Sequence, residues 1–169
     1  MKNKILKNVI LFIVGFCLYI TIEVIYRNHS YWQMGCCGGL AIVILDKINN
    51  KISWKTDILL QGLCGSLLIT VMELIIGEIA LHSRIIPIMW DYSSMPLNFD
   101  GVICLPFSLI WLVLSIGAIF LADAINYYVF AELPIPHYYI FGYKFLSFKE
   151  RKWKRTQKQG YKIFMSYNP

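Results

Sequence analysis

Residues 90–106, WDYSSMPLNFDGVICLP, run from Trp90 to Pro106 and separate two long apolar segments. Polar Asp91, Ser93, Asn98 and Asp100 alternate there with Trp90 and Tyr92, and Pro96, Gly101 and Pro106 supply turn-forming backbone. Trp90 and Tyr92 alone would suit a headgroup-level aromatic anchor. Polar and turn-forming residues in such density predict more, a structured re-entrant or surface loop folded over the helices beside it. Such a loop would bring Asp91 and Asp100 towards Glu73 and Glu78 and make that mouth of the protein acidic, suited to a cationic ligand, a proton or a lipid ammonium group.

Working outward, the flanking composition sets the class. Of 169 residues, 57% are hydrophobic and only 15% are charged, which is the balance of a polytopic membrane protein rather than a soluble domain. The expected fold is all-α: a four-transmembrane-helix bundle over residues 1–140, with helices at about 5–26, 31–48, 57–81 and 104–130. An interfacial, basic, amphipathic tail over residues 141–169 completes it. The first segment, behind Lys2, Lys4 and Lys7, is too long for a signal peptide and ends in Glu23 and Arg27 rather than small residues. Gly35 and Gly39 share a helical face in the second, and Gly62, Gly65 and Ser66 cluster in the third, which Asp57 caps. Pro134 and Pro136 end the fourth.

Lys and Arg set the orientation. All but two of the 16 lie before helix one, between helices two and three, or after helix four; the exceptions are Arg27 and Arg84. By the positive-inside rule both termini are cytoplasmic, and the Trp90 stretch is an outer feature. Tail aromatics such as Tyr143, Phe145 and Trp153, interleaved with Lys and Arg, predict attraction to anionic lipid rather than to nucleic acid. A short internal echo, Ile20-Thr21-Ile22-Glu23 against Ile69-Thr70-Val71-Met72-Glu73, places two glutamates at similar depth and suggests two hairpins of one orientation.

Ionisable groups inside apolar spans face the protein or a wet cavity, which makes Glu23, Glu73 and Asp123 candidates. Arg27 lies one helical turn beyond Glu23 and pairs with it. Asp123, near the cytoplasmic face, is expected to pair with basic tail residues. Glu73 has no basic residue within a turn and needs a partner from elsewhere: Arg27, Arg84, Trp90, Tyr92 or Asn98. The ligand-binding or coupling candidates are therefore Glu23, Arg27, Glu73, Glu78, Trp90, Asp91, Tyr92, Asn98, Asp100 and Asp123. The chain holds no C-x-x-C and no P-loop, and no metal, cofactor or catalytic set is expected.

The run Trp90-Asp91-Tyr92-Ser93, Pro96-Leu97-Asn98, Gly101, Ile103 to Ser108 and Trp111 resembles the central motif of a bacterial membrane-protein family known as putative ABC-transporter type IV, or putative ABC transporter permease. The resemblance extends over Tyr19 to Tyr139, with Glu23, Gly35 to Gly39, Glu73, Gly77 and Asp123 inside it. It implies a multi-pass protein of the bacterial cytoplasmic membrane with a transport-related role, and it carries no assigned binding residues. Two alternatives stand beside that role: a partner or regulatory subunit, or a homo-oligomer, joined through small-residue faces, and a membrane-embedded enzyme acting on lipid or envelope substrates.

Overall fold

The computed structural model describes residues 2–83, 86–132 and 134–150. Four helices dominate: α1 (Lys2–Arg27), α2 (Trp32–Asn49), α3 (Ile58–Ser83) and α4 (Leu105–Ala124), the last extended by one π-helical turn, Ile125–Val129. Large apolar side chains such as Ile5, Ile13, Leu67 and Val113 cover the outward faces, which suits acyl chains rather than water. Four long helices stand where four were expected. Three have the length and apolarity to cross a membrane: Lys4–Arg27, Ile58–Ser83 and Leu105–Val129. Gln33, Asp46 and Lys47 dilute the 18-residue α2 and leave it outside that group.

Each helix starts and stops for a local reason. Asn28 takes a left-handed φ of 61° just past α1, and its N–H reaches back to the Val24 carbonyl at 2.8 Å, closing the helix. Asp57 caps α3 as expected: its Oδ1 accepts from the Leu59 N–H at 2.9 Å. Pro106 sits in the first turn of α4, where the missing N–H costs nothing.

The helices pack as two antiparallel hairpins, α1–α2 and α3–α4, joined mainly through α2 and α4. The α2 glycines face α1. A Cβ on Gly39 would stand 2.7 Å from the Phe12 ring, one on Gly35 2.6 Å from Phe16, and one on Gly38 2.4 Å from the Tyr19 Cβ. Backbones this close gain dispersion along their whole length, the usual adhesive between helices in lipid. Gly62 and Gly65 play the same part against Ile116 and Ser115 of α4. Ser66 adds an interhelical hydrogen bond to the Ser108 carbonyl.

Two short antiparallel β-hairpins correct the all-α expectation. β1 (Asn98–Phe99) pairs with β2 (Ile103–Cys104), and β3 (His137–Ile140) with β4 (Tyr143–Ser147). Both turn on an x-Gly pair with both residues at positive φ: Asp100 at 49° with Gly101 at 66°, and Phe141 at 50° with Gly142 at 80°. That is the turn geometry whose twist matches paired strands. The second hairpin spans the expected boundary at 140/141 and packs against the start of α3, where Asp57 Oδ2 accepts from the Phe141 N–H and Ile58 is buried against Ile119 and Tyr138. Residues 151–169, the bulk of the basic tail, lie outside the described residues.

Candidate functional site

Glu73 projects from α3 into the interior, with 8% of its surface exposed. Its two oxygens are held by different elements. The Tyr92 hydroxyl, from the loop, donates to Oε1 at 3.0 Å, and the Trp111 indole N–H, from α4, donates to Oε2 at 2.8 Å. Both donors are uncharged, so the carboxylate is hydrogen-bonded without being neutralised by a cation. The rings are fixed in turn: Tyr92 stacks on Phe107 at 4.5 Å, and Trp111 stacks on Tyr19 of α1 at 5.9 Å.

The loop reaches Glu73 because its polar residues bond to one another. The Tyr92 N–H donates to the Gly101 carbonyl at 2.7 Å, the Trp90 indole to the Val102 carbonyl at 2.8 Å, and the Asn98 amide to the Met95 carbonyl at 2.7 Å. Asp91 Oδ1 accepts from the Ser93 N–H at 2.8 Å, which holds this exposed carboxyl below its ordinary value of 3.8. Arg27 donates from α1 to the Met89 carbonyl at 2.8 Å, tying the loop's approach to the first hairpin. Gly77 makes room for the loop: a Cβ there would lie 2.2 Å from Val102 Cγ1. The loop is therefore seated against α3 one helical turn beyond Glu73.

Beneath Glu73 a cavity of about 290 Å³ lies between the two helical hairpins. All four helices line it; Glu73, Tyr19, Trp90 and Trp111 border it among otherwise apolar side chains and glycines. A smaller cavity of about 130 Å³ lies on the other side of the loop, bordered by Asp91, Asp100 and Gly77.

The expected candidates thus divide. Of the five partners considered for Glu73, Tyr92 is the one the structure delivers. Arg27 instead pairs with Glu23, while Trp90 and Asn98 bond within the loop. Arg84 lies outside the described residues. Asp91 and Asp100 are exposed beside the smaller cavity rather than gathered on Glu73, and Glu78 faces His82 at 3.3 Å. Asp123 sits at the opposite end of the bundle, where the Tyr138 hydroxyl donates to its Oδ2 at 2.7 Å. The basic partners expected for Asp123 fall largely in 151–169, outside the described residues.

Sequence reasoning missed two sets. In the sequence Trp111 carries only the motif resemblance, and nothing there marks it as a donor to Glu73. Lys7, a flanking charge of the first segment, and Asp46 form a buried pair at 3.3 Å; Glu132 joins Lys7 at 3.2 Å, and the Asn126 amide donates to Asp46 Oδ1. The π-helical turn is what places Asn126 there. Its widened geometry carries the Phe130 N–H to the Ile125 carbonyl, five residues back, at 3.2 Å. A lysine and an aspartate at the same end of two consecutive apolar helices were the available signal.

Among the described residues no group of three or more His, Cys, Asp and Glu could hold a metal ion. No curated protein and no solved structure matches the chain. A family model described as putative ABC-transporter type IV matches residues 2–148, which takes in all the helices and both hairpins among the described residues, with Glu73, Tyr92, Trp111 and Asp123, and the chain belongs to that family.

Proposed function

We propose that this protein is a transport-related component of the bacterial cytoplasmic membrane whose cavity under the Trp90 loop receives an amphiphilic ligand. All four helices span the bilayer in this reading, both termini are cytoplasmic, and the loop lies at the outer leaflet. The distribution of Lys and Arg supports the orientation, and family membership supports the transport connection.

The observation that carries the reading is Glu73. A carboxylate in an apolar span is costly, yet here one is positioned by a loop and two helices at the wall of an apolar space. The partner-subunit alternative loses its main support, because the faces of Gly35, Gly39, Gly62 and Gly65 are filled within the chain. The chain has no P-loop, so nucleotide hydrolysis forms no part of this reading.

The ligand test uses the protein in phosphatidylcholine nanodiscs, with Trp32, Trp54 and Trp153 replaced by Phe so that the cavity tryptophans report. A brominated alkyl maltoside is expected to quench them saturably. Gly117→Phe is expected to leave only the linear quenching of bilayer-dissolved probe, since Gly117 lines the cavity and has nothing within 4 Å of an added Cβ. Linear quenching in the parent protein would defeat the reading. For orientation, a cysteine at Ser93 on a cysteine-free background should be labelled from outside intact cells, and one at Ser53 should not. The reverse pattern would invert the assignment.

A further inference from the structure

We propose that the ligand is an amphiphile bearing one ammonium group, which lodges against Glu73 while its single apolar chain fills the cavity; this rests on the cavity reading above. A carboxylate can accept about four hydrogen bonds, and Glu73 receives one at each oxygen. Each oxygen therefore keeps acceptor capacity, and Glu73 lines the cavity. Among the described residues no cation pairs with Glu73: Arg27 is committed to Glu23 and to the Met89 carbonyl, and Lys7 to Asp46 and Glu132 at the far end. An uncompensated buried charge is unfavourable, and a ligand ammonium supplies the missing partner. An anionic head would instead add a second negative charge beside the first.

The aromatic residues fit the same head. Both indole N–H groups at the cavity are already used, Trp90 on the Val102 carbonyl and Trp111 on Glu73. Trp90, Trp111 and Tyr19 all line the cavity with Glu73, and aromatic rings attract cations. The remainder of the lining suits a chain. Leu18, Ile22 and Val113 border the cavity and are also exposed along the helix sides, so it opens laterally, the direction of entry from a bilayer. At about 290 Å³ the space lies at the lower limit of ligand pockets. That favours one chain over a two-chain lipid.

The test repeats the quenching titration with three brominated probes of one chain length, carrying trimethylammonium, maltoside or sulfate heads. In the native cavity the ammonium probe is expected to bind about tenfold more tightly than the maltoside, and the sulfate least tightly. Glu73→Gln should bring the ammonium probe down to the affinity of the maltoside, whereas Glu78→Gln, whose carboxylate lies outside the cavity, should leave the order intact. Equal affinity for all three heads, or an ammonium preference that survives Glu73→Gln, overturns the proposal and leaves the cavity reading standing. Saturation by none of the three overturns the cavity reading itself. The head-group comparison is made without a substitution at Glu73, so it holds even if that variant folds poorly.

Discussion

Both ends of the bundle close in the same chemical manner, with a tyrosine from a hairpin or its flanking loop donating to a helix carboxylate. At one end Tyr92 donates to Glu73, and at the other Tyr138 donates to Asp123. The surroundings differ. Tyr138 is 1% exposed and wedged among Phe120, Ile119 and Ile58, so the pair is embedded in solid packing. Glu73 borders open space. A hydrogen-bonded carboxylate that is walled in can act as a staple, whereas one facing a cavity retains the capacity to meet a ligand. The distinction lies in the volume beside the acid rather than in the acid itself.

The largest effect is expected from Lys7→Met. The variant leaves Asp46 buried without its cation and facing the same site as Glu132, a loss of about 3–5 kcal/mol by the usual cost of breaking a buried pair. Thermal unfolding in detergent should show it as a large drop in midpoint. A midpoint near that of the parent would mean that the basic end is not the rigid one, and the contrast between the ends would fail.

Next comes the tyrosine pair. Tyr138→Phe should cost about 1–2 kcal/mol, because a buried carboxylate loses a donor. It should leave probe affinity in the cavity unchanged. Tyr92→Phe should cost less stability and shift probe affinity, since the cavity beside Glu73 offers room for adjustment. Equal behaviour of the two variants in both assays would erase the difference between staple and site.

Alkaline titration sharpens the same point. Burial, reinforced by Asp123, pushes the Tyr138 phenol above its ordinary value of 10.0, and burial with Glu73 does the same for Tyr92. With folded values raised, the stabilisation they provide is fully present below pH 10 and is lost as pH rises beyond it. Phenolate absorbance should show a late-titrating fraction that each Tyr→Phe variant reduces by one residue.

The smallest effect should come from Asp91→Ala. Its carboxyl is exposed and held low by the Ser93 N–H. Its contribution is therefore present above about pH 3.8 and lost as pH falls through the lowered folded value. At neutral pH the midpoint should move less than in either tyrosine variant. A larger change would give the loop surface a structural weight that the Glu73 end otherwise draws from Tyr92 and Trp111.

Much of this is legible in the sequence alone. Apolar runs located the helices to within a few residues, Asp57 announced its cap, and the α2 glycines announced a close contact, because each is a local signal. The loop's approach to Glu73 was also legible, since an acid with no helical neighbour requires one from elsewhere. Trp111 was not, because a tryptophan in an apolar run reads equally as core or as lipid contact. The hairpin at 137–147 was hidden for a similar reason: its aromatics fit a bilayer interface as well as strands, and only the Phe141-Gly142 turn distinguishes the two. Lys7 and Asp46 meet only once α1 and α2 pair, and Glu132 joins them only when the second helical hairpin docks on the first, which no local pattern signals.

That buried pair also bears on the order in which the protein is made. Lys7 and Asp46 both belong to the first helical hairpin and pair at 3.3 Å, so α1 and α2 can pack as a unit with these two charges already matched. Asn126 lies 80 residues after Asp46, and at translation rates of about 5–20 residues per second it follows by roughly 4–16 s. During that interval the first hairpin waits with an aspartate that lacks its final hydrogen-bond donor. The arrival of the π-helical turn completes it, making the last of the four helices the one that locks the first two.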